Sequence, residues 1–155
     1  MSELLRLLYQ GKRDEAAALL AADPPPSLDI FEAAAAGDRT RVAELLRADS
    51  KAAESWTDDG FTALHYACCF GSADAAVELL EAGADANAPS RNDMGVRPIN
   101  SAAAGPDALR TVRALLDNGA DPNGTQASGH TALDEAELNK ADKLIDLLLS
   151  RGATR

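Results

Sequence analysis

A repeat of roughly 34 residues constrains this chain more than any other property it has, because a repeated unit must pack against its own neighbours. The segment GFTALHYACCFGSADAAVELLEAGADAN runs from Gly60 to Asn87, and GHTALDEAELNKADKLIDLLLSRGAT runs from Gly129 to Thr154. Thr62 and Thr131, Leu64 and Leu133, and Gly83 and Gly152 are each 69 positions apart, which is two periods. The copy between them, GVRPINSAAAGPDALRTVRALLDNGADPN from Gly95 to Asn123, carries one extra residue around Gly105–Pro106. Upstream, LDIFEAAAAGDRTRVAELLRAD (Leu28–Asp49) aligns with Gly37 placed 34 before Gly71. A degenerate fifth copy, LLRLLYQGKRDEAAALLAAD (Leu4–Asp23), is joined to it by DPPPS, and there Gly11 and Gly37 are only 26 apart.

Each copy carries its own start and stop signals. Thr62 and Thr131 precede apolar periodic segments and suit helix N-caps. Pro98 falls at a first helical position, where a missing N–H costs nothing. Gly83, Gly119 and Gly152 follow the double leucines Leu79–Leu80, Leu115–Leu116 and Leu148–Leu149, as left-handed helix caps do. A copy therefore reads as a short helix, a tight turn at Gly37, Gly71 or Gly105, a second helix, and an Asp/Asn/Gly-rich finger.

The T-A-L-H-x-A run, the L-L-x-x-G-A-D-x-N run and the period resemble the ankyrin repeat. The resemblance implies an all-α helical solenoid of about five helix-turn-helix repeats with short β-hairpin fingers. It implies a single domain over residues 1–155, with repeats near 2–27, 28–57, 58–91, 92–125 and 126–155. It also implies a non-enzymatic function: binding of a protein partner through finger tips and the concave face of the first helices, as an adaptor or an inhibitor, with no cofactor.

Composition narrows the partner. Lys plus Arg is 15 against 25 Asp plus Glu, a net charge of −10. Such a chain gains little from phosphates or anionic lipid, so nucleic acid and membrane are not expected partners. No apolar run reaches the length of a membrane span, and the N-terminus lacks a signal-peptide pattern. The two cysteines are adjacent, poor geometry for an ordinary disulfide, which suits a reducing, cytoplasmic setting.

His65, Cys68 and Cys69 are the residues most suggestive of chemistry, since on a helix they could share a face. A metal or thiol site there is the rival reading. Against it, the aligned positions of the other copies hold Asn100, Asp134 and Phe31 for His65, and mainly alanines for the cysteines. Zinc needs three or four ligands, and the only other histidine, His130, is two repeats away. In ankyrin repeats this histidine typically braces the neighbouring hairpin.

By the same analogy, partner-binding candidates are Trp56, Asp58, Asp59, Phe61 and Phe70 in the central copy. Arg91, Asp93, Met94 and Val96 follow in the next, and Ser128 and His130 in the last. Phe61 and Phe70 are expected to point into one groove. Trp56 and Phe61 have a competing role, packing one finger on its neighbour. A monomer is expected, with pairing through the weakly capped first repeat as the alternative.

Overall fold

A computed structural model describes all residues 1–155. Ten short helices run in pairs: α1 (Glu3–Tyr9) with α2 (Arg13–Leu20), α3 (Ile30–Ala36) with α4 (Arg39–Ala48), and α5 (Ala63–Cys69) with α6 (Ala73–Glu81). The pairs α7 (Pro98–Ala104) with α8 (Ala108–Asp117), and α9 (Ala132–Leu138) with α10 (Asp142–Ser150), complete the chain. The first helices stack in one row, α1–α3–α5–α7–α9, and the second helices in another, α4–α6–α8–α10. Helix α2 packs mainly on α1, because the proline-rich link leads straight into α3 without the finger that spaces later pairs.

The helices are short because their boundaries are coded. The Thr62 Oγ accepts the His65 N–H, and Pro98 opens α7. At Asp29 a capping box is closed by Glu32, whose N–H donates to Asp29 Oδ1 at 2.8 Å. That box corrects one alignment: the N-cap register places Glu32, not Phe31, opposite His65, because α3 reaches its glycine one residue sooner than α5 does. A second correction concerns Gly105. It is extended, at φ −85° and ψ 172°, and Asp107 takes the left-handed conformation at φ 53°, so the extra residue shifts the turn downstream.

One continuous core fills the space between the rows. Leu64, Leu79, Ile99, Leu115, Leu133 and Leu148 are its largest buried side chains, separated by alanines that let helices approach closely. The second helices are tied across the outer face by Arg39–Glu78 at 2.6 Å, Arg110–Asp74 at 2.6 Å and Arg151–Asp117 at 2.7 Å. Exposed pairs like these contribute at most about 1 kcal/mol each.

The fingers are hairpin-shaped turns rather than strands. Their single β-bridge pairs Trp56 with Thr62. Each finger closes on itself with few bonds: Thr57 N–H donates to Phe61 O, Ser90 N–H to Val96 O, and Gln126 N–H to His130 O. Successive fingers are joined by Arg91 N–H to Gly60 O at 2.8 Å and Ala127 N–H to Met94 O at 2.9 Å. At their base, Asn87 bridges to the next repeat, donating to Gly119 O and accepting from the Asp121 N–H.

Candidate functional site

The fingers and first helices enclose a cavity of about 300 Å³. Its walls come from two repeats and the N-terminal helix: Tyr9 from α1, Phe61 from the first finger, His65, Tyr66 and Cys69 from α5, Met94 and Val96 from the second finger, and Ser101 from α7. Phe61 sits edge-on to Tyr66, with ring centroids 6.2 Å apart, and to His65 at 5.7 Å. Tyr9 and Met94 stand at the mouth, 49% and 52% exposed. They are two of the four large apolar side chains that the chain leaves exposed.

His65 holds this wall in place. The Thr62 N–H donates to Nδ1 at 3.2 Å, so Nε2 carries the proton and donates to Val96 O at 2.9 Å. The ring thereby caps its own helix and pins the next finger. Burial pushes its pKa below the ordinary imidazole value. With both nitrogens engaged, it has no lone pair free for a metal. No group of three or more His, Cys, Asp or Glu side chains is placed to hold a metal ion. Burial raises the pKa of both thiols: Cys68 is enclosed in the core, and Cys69 is half-buried in the cavity wall. Neither has the electropositive setting that produces a reactive thiolate.

The other candidate residues divide by location. Trp56 is covered by the Arg91 guanidinium, 4.0 Å above its ring centre, which holds the first finger against the second. Asp58, Asp59 and Asp93 lie exposed on the tips. Phe70 does not line the cavity beside Phe61. It packs edge-on against Tyr9 at 5.1 Å and faces a separate depression near Ala35 and Pro106. Phe70 is the C-cap residue of α5, one position beyond Cys69, which lines both depressions. Ser128 and His130 lie on the last finger, where Ser128 accepts the Gln126 side-chain N–H and His130 meets Glu135 at 3.2 Å. Tyr9 carried no clear sequence signal because it ends the first helix of the least regular copy. Its one signal was an aromatic at the end of an amphipathic helix.

A family model described as Ankyrin repeats (3 copies) matches residues 4–90 and 30–126. The chain belongs to the ankyrin-repeat family. Human BCL-6 corepressor-like protein 1 is 36% identical to it over 121 residues, 78% of this chain and 7% of that protein. The Notch protein of Drosophila melanogaster is 33% identical over 113 residues, 72% of this chain and 4% of its own. The neurogenic locus notch homolog protein 1 of Xenopus tropicalis is 37% identical over 95 residues, 61% of this chain and 4% of its own. This ankyrin chain thus spans less than a tenth of the length of these relatives. Ankyrin repeats generally mediate protein–protein interaction and are typically non-catalytic. No helix here is long and apolar enough to cross a membrane.

Proposed function

We propose that this ankyrin chain binds a protein partner through its finger tips and the concave face of its first helices. The observation that carries the reading is the apolar cavity beneath the fingers, at which the large side chains Tyr9 and Met94 stay about half exposed. Phe61 and Val96 line it, Asp58, Asp59, Arg91 and Asp93 lie exposed on the same two fingers, and Ser128 and His130 extend the finger row. Phe70 acts from behind, by fixing Tyr9.

The module acts as a monomer and as an adaptor or inhibitor, by occupying a docking surface of its partner. Its acidity favours a protein over nucleic acid or an anionic membrane. Its two free thiols suit the reducing cytoplasm.

The test is co-purification from the source organism with wild-type protein and with Tyr9→Ser, Met94→Ser. Both side chains are exposed, so the fold should survive the change. The partner should be lost with unchanged helical circular dichroism. A partner retained by the double variant would place the binding face elsewhere.

A further inference from the structure

The cavity and its rim together describe what kind of segment they would receive, if the chain binds protein through this face. The walls are apolar and aromatic, so the inserted group must be apolar and bulky. A volume of about 300 Å³ sits at the bottom of the ~300–1,000 Å³ range of small-molecule sites. It accommodates a side chain or two, not a folded element.

The finger tips beside the cavity carry three exposed carboxylates, Asp58, Asp59 and Asp93. None of the chain's ten ion pairs involves Asp58, Asp59 or Asp93. On the outer face, by contrast, Asp74, Glu78 and Asp117 are each paired with an arginine of a neighbouring repeat. The nearby cations are already committed: Arg91 lies over Trp56, and Arg97 donates to the Asn87 and Thr125 carbonyls. Carboxylates at this edge are therefore free to meet a cation that arrives with the ligand.

We infer that the partner presents an extended segment in which a bulky apolar side chain is flanked by lysine or arginine. The apolar side chain enters between Tyr9, Phe61, Tyr66, Met94 and Val96, and the flanking cations meet Asp58, Asp59 and Asp93. The apolar anchor supplies most of the affinity, and the rim charges steer association and select the sign of the flanks.

A library of random twelve-residue peptides displayed on phage, selected on the wild-type chain, tests this. Enriched sequences should place Trp, Phe, Leu or Met within two positions of Lys or Arg. A synthetic peptide of the most enriched sequence should lose about tenfold in affinity with Asp58→Asn, Asp59→Asn, Asp93→Asn. It should lose at least tenfold with Met94→Ser. Raising salt should weaken it for the wild type and much less for the triple variant. Neutral or acidic flanks, or full affinity in the triple variant, would overturn the inference while leaving the protein-binding reading intact. Peptides indifferent to Met94→Ser would overturn both the inference and the assignment of this face. A selection yielding no peptide above an unrelated control protein would overturn the inference; co-purification then decides the broader reading by itself.

Discussion

Replacing His65 with alanine tests whether one buried ring holds the cavity wall. The ring is 2% exposed, accepts the Thr62 N–H and donates to Val96 O. Two such bonds contribute about 1 kcal/mol each, and stranding buried Thr62 N–H and Val96 O adds about 1–3 kcal/mol. The void left beside Phe61 and Trp56 adds to this. A total near ~3–5 kcal/mol is expected, or roughly 6–20 °C in melting temperature at about 2–4 °C per kcal/mol for a chain of this size. The pH dependence gives an independent reading. The folded-state pKa is depressed by burial, while the unfolded ring protonates near its ordinary value, about 6.5. Between those two values the unfolded state binds more protons, so stability is full above about pH 6.5 and falls as pH drops towards the folded pKa. His65→Asn should remove that slope while retaining much of the cap, since Asn100 occupies the same position in the next repeat and donates to Gly124 O at 3.1 Å. Denaturant melts of wild type, His65→Ala and His65→Asn from pH 5 to 8, all in a His130→Gln background, measure both effects. A loss under ~1 kcal/mol for His65→Ala, or an equal slope in all three proteins, would refute the argument.

Further expectations concern core, caps and fingers. Leu79→Ala, at a fully buried site on α6, should cost about 2–5 kcal/mol by chemical denaturation; a cost under ~0.5 kcal/mol would mean the helix face is wrongly assigned. Gly83→Val should cost more than ~1 kcal/mol from backbone alone, because φ is +97° and no atom stands near a Cβ there; an unchanged melting temperature would contradict the left-handed cap. Gly60→Ala should cost more than Gly83→Ala, since its Cβ would lie 2.6 Å from the Arg91 carbonyl oxygen and would force the first two fingers apart. Arg91→Ala should lower stability by only about 0.5–1 kcal/mol yet shift the emission of Trp56, the sole tryptophan; unaltered emission would show that the stacked pair does not persist in solution.

Much of the architecture was legible because it is written in local chemistry. Thr62 and Thr131 mark helix starts by the N–H they accept and Pro98 by the one it lacks, and Gly83, Gly119 and Gly152 mark ends by the φ they permit. The errors came where two local signals compete. Gly37 and Gly71 align at 34, but their N-caps align at 33, so the glycine register alone put Phe31 in the place of Glu32. At Gly105, a glycine was available for the left-handed position, but the added residue moved that position to Asp107. The fingers lack strands because each offers too few paired residues to form a ladder, which composition does not reveal. The candidate surface was legible only in part. Finger residues Phe61, Met94 and Val96 followed from position within the repeat. The approach of Tyr9 from two repeats away, the stacking of Arg91 on Trp56 and the separation of Phe70 from Phe61 depend on how helices sit side by side.

A partner seated on the concave face under the fingers would lie within reach of Met94 and out of reach of the outer helices. Site-specific photo-crosslinking locates contact directly. A benzophenone side chain at Met94 reports the cavity mouth, and one at the exposed Lys143 of α10 reports the outer face. In extract of the source organism, the same partner should crosslink strongly through position 94 and not through position 143. Crosslinking through 143 with none through 94 would contradict the account.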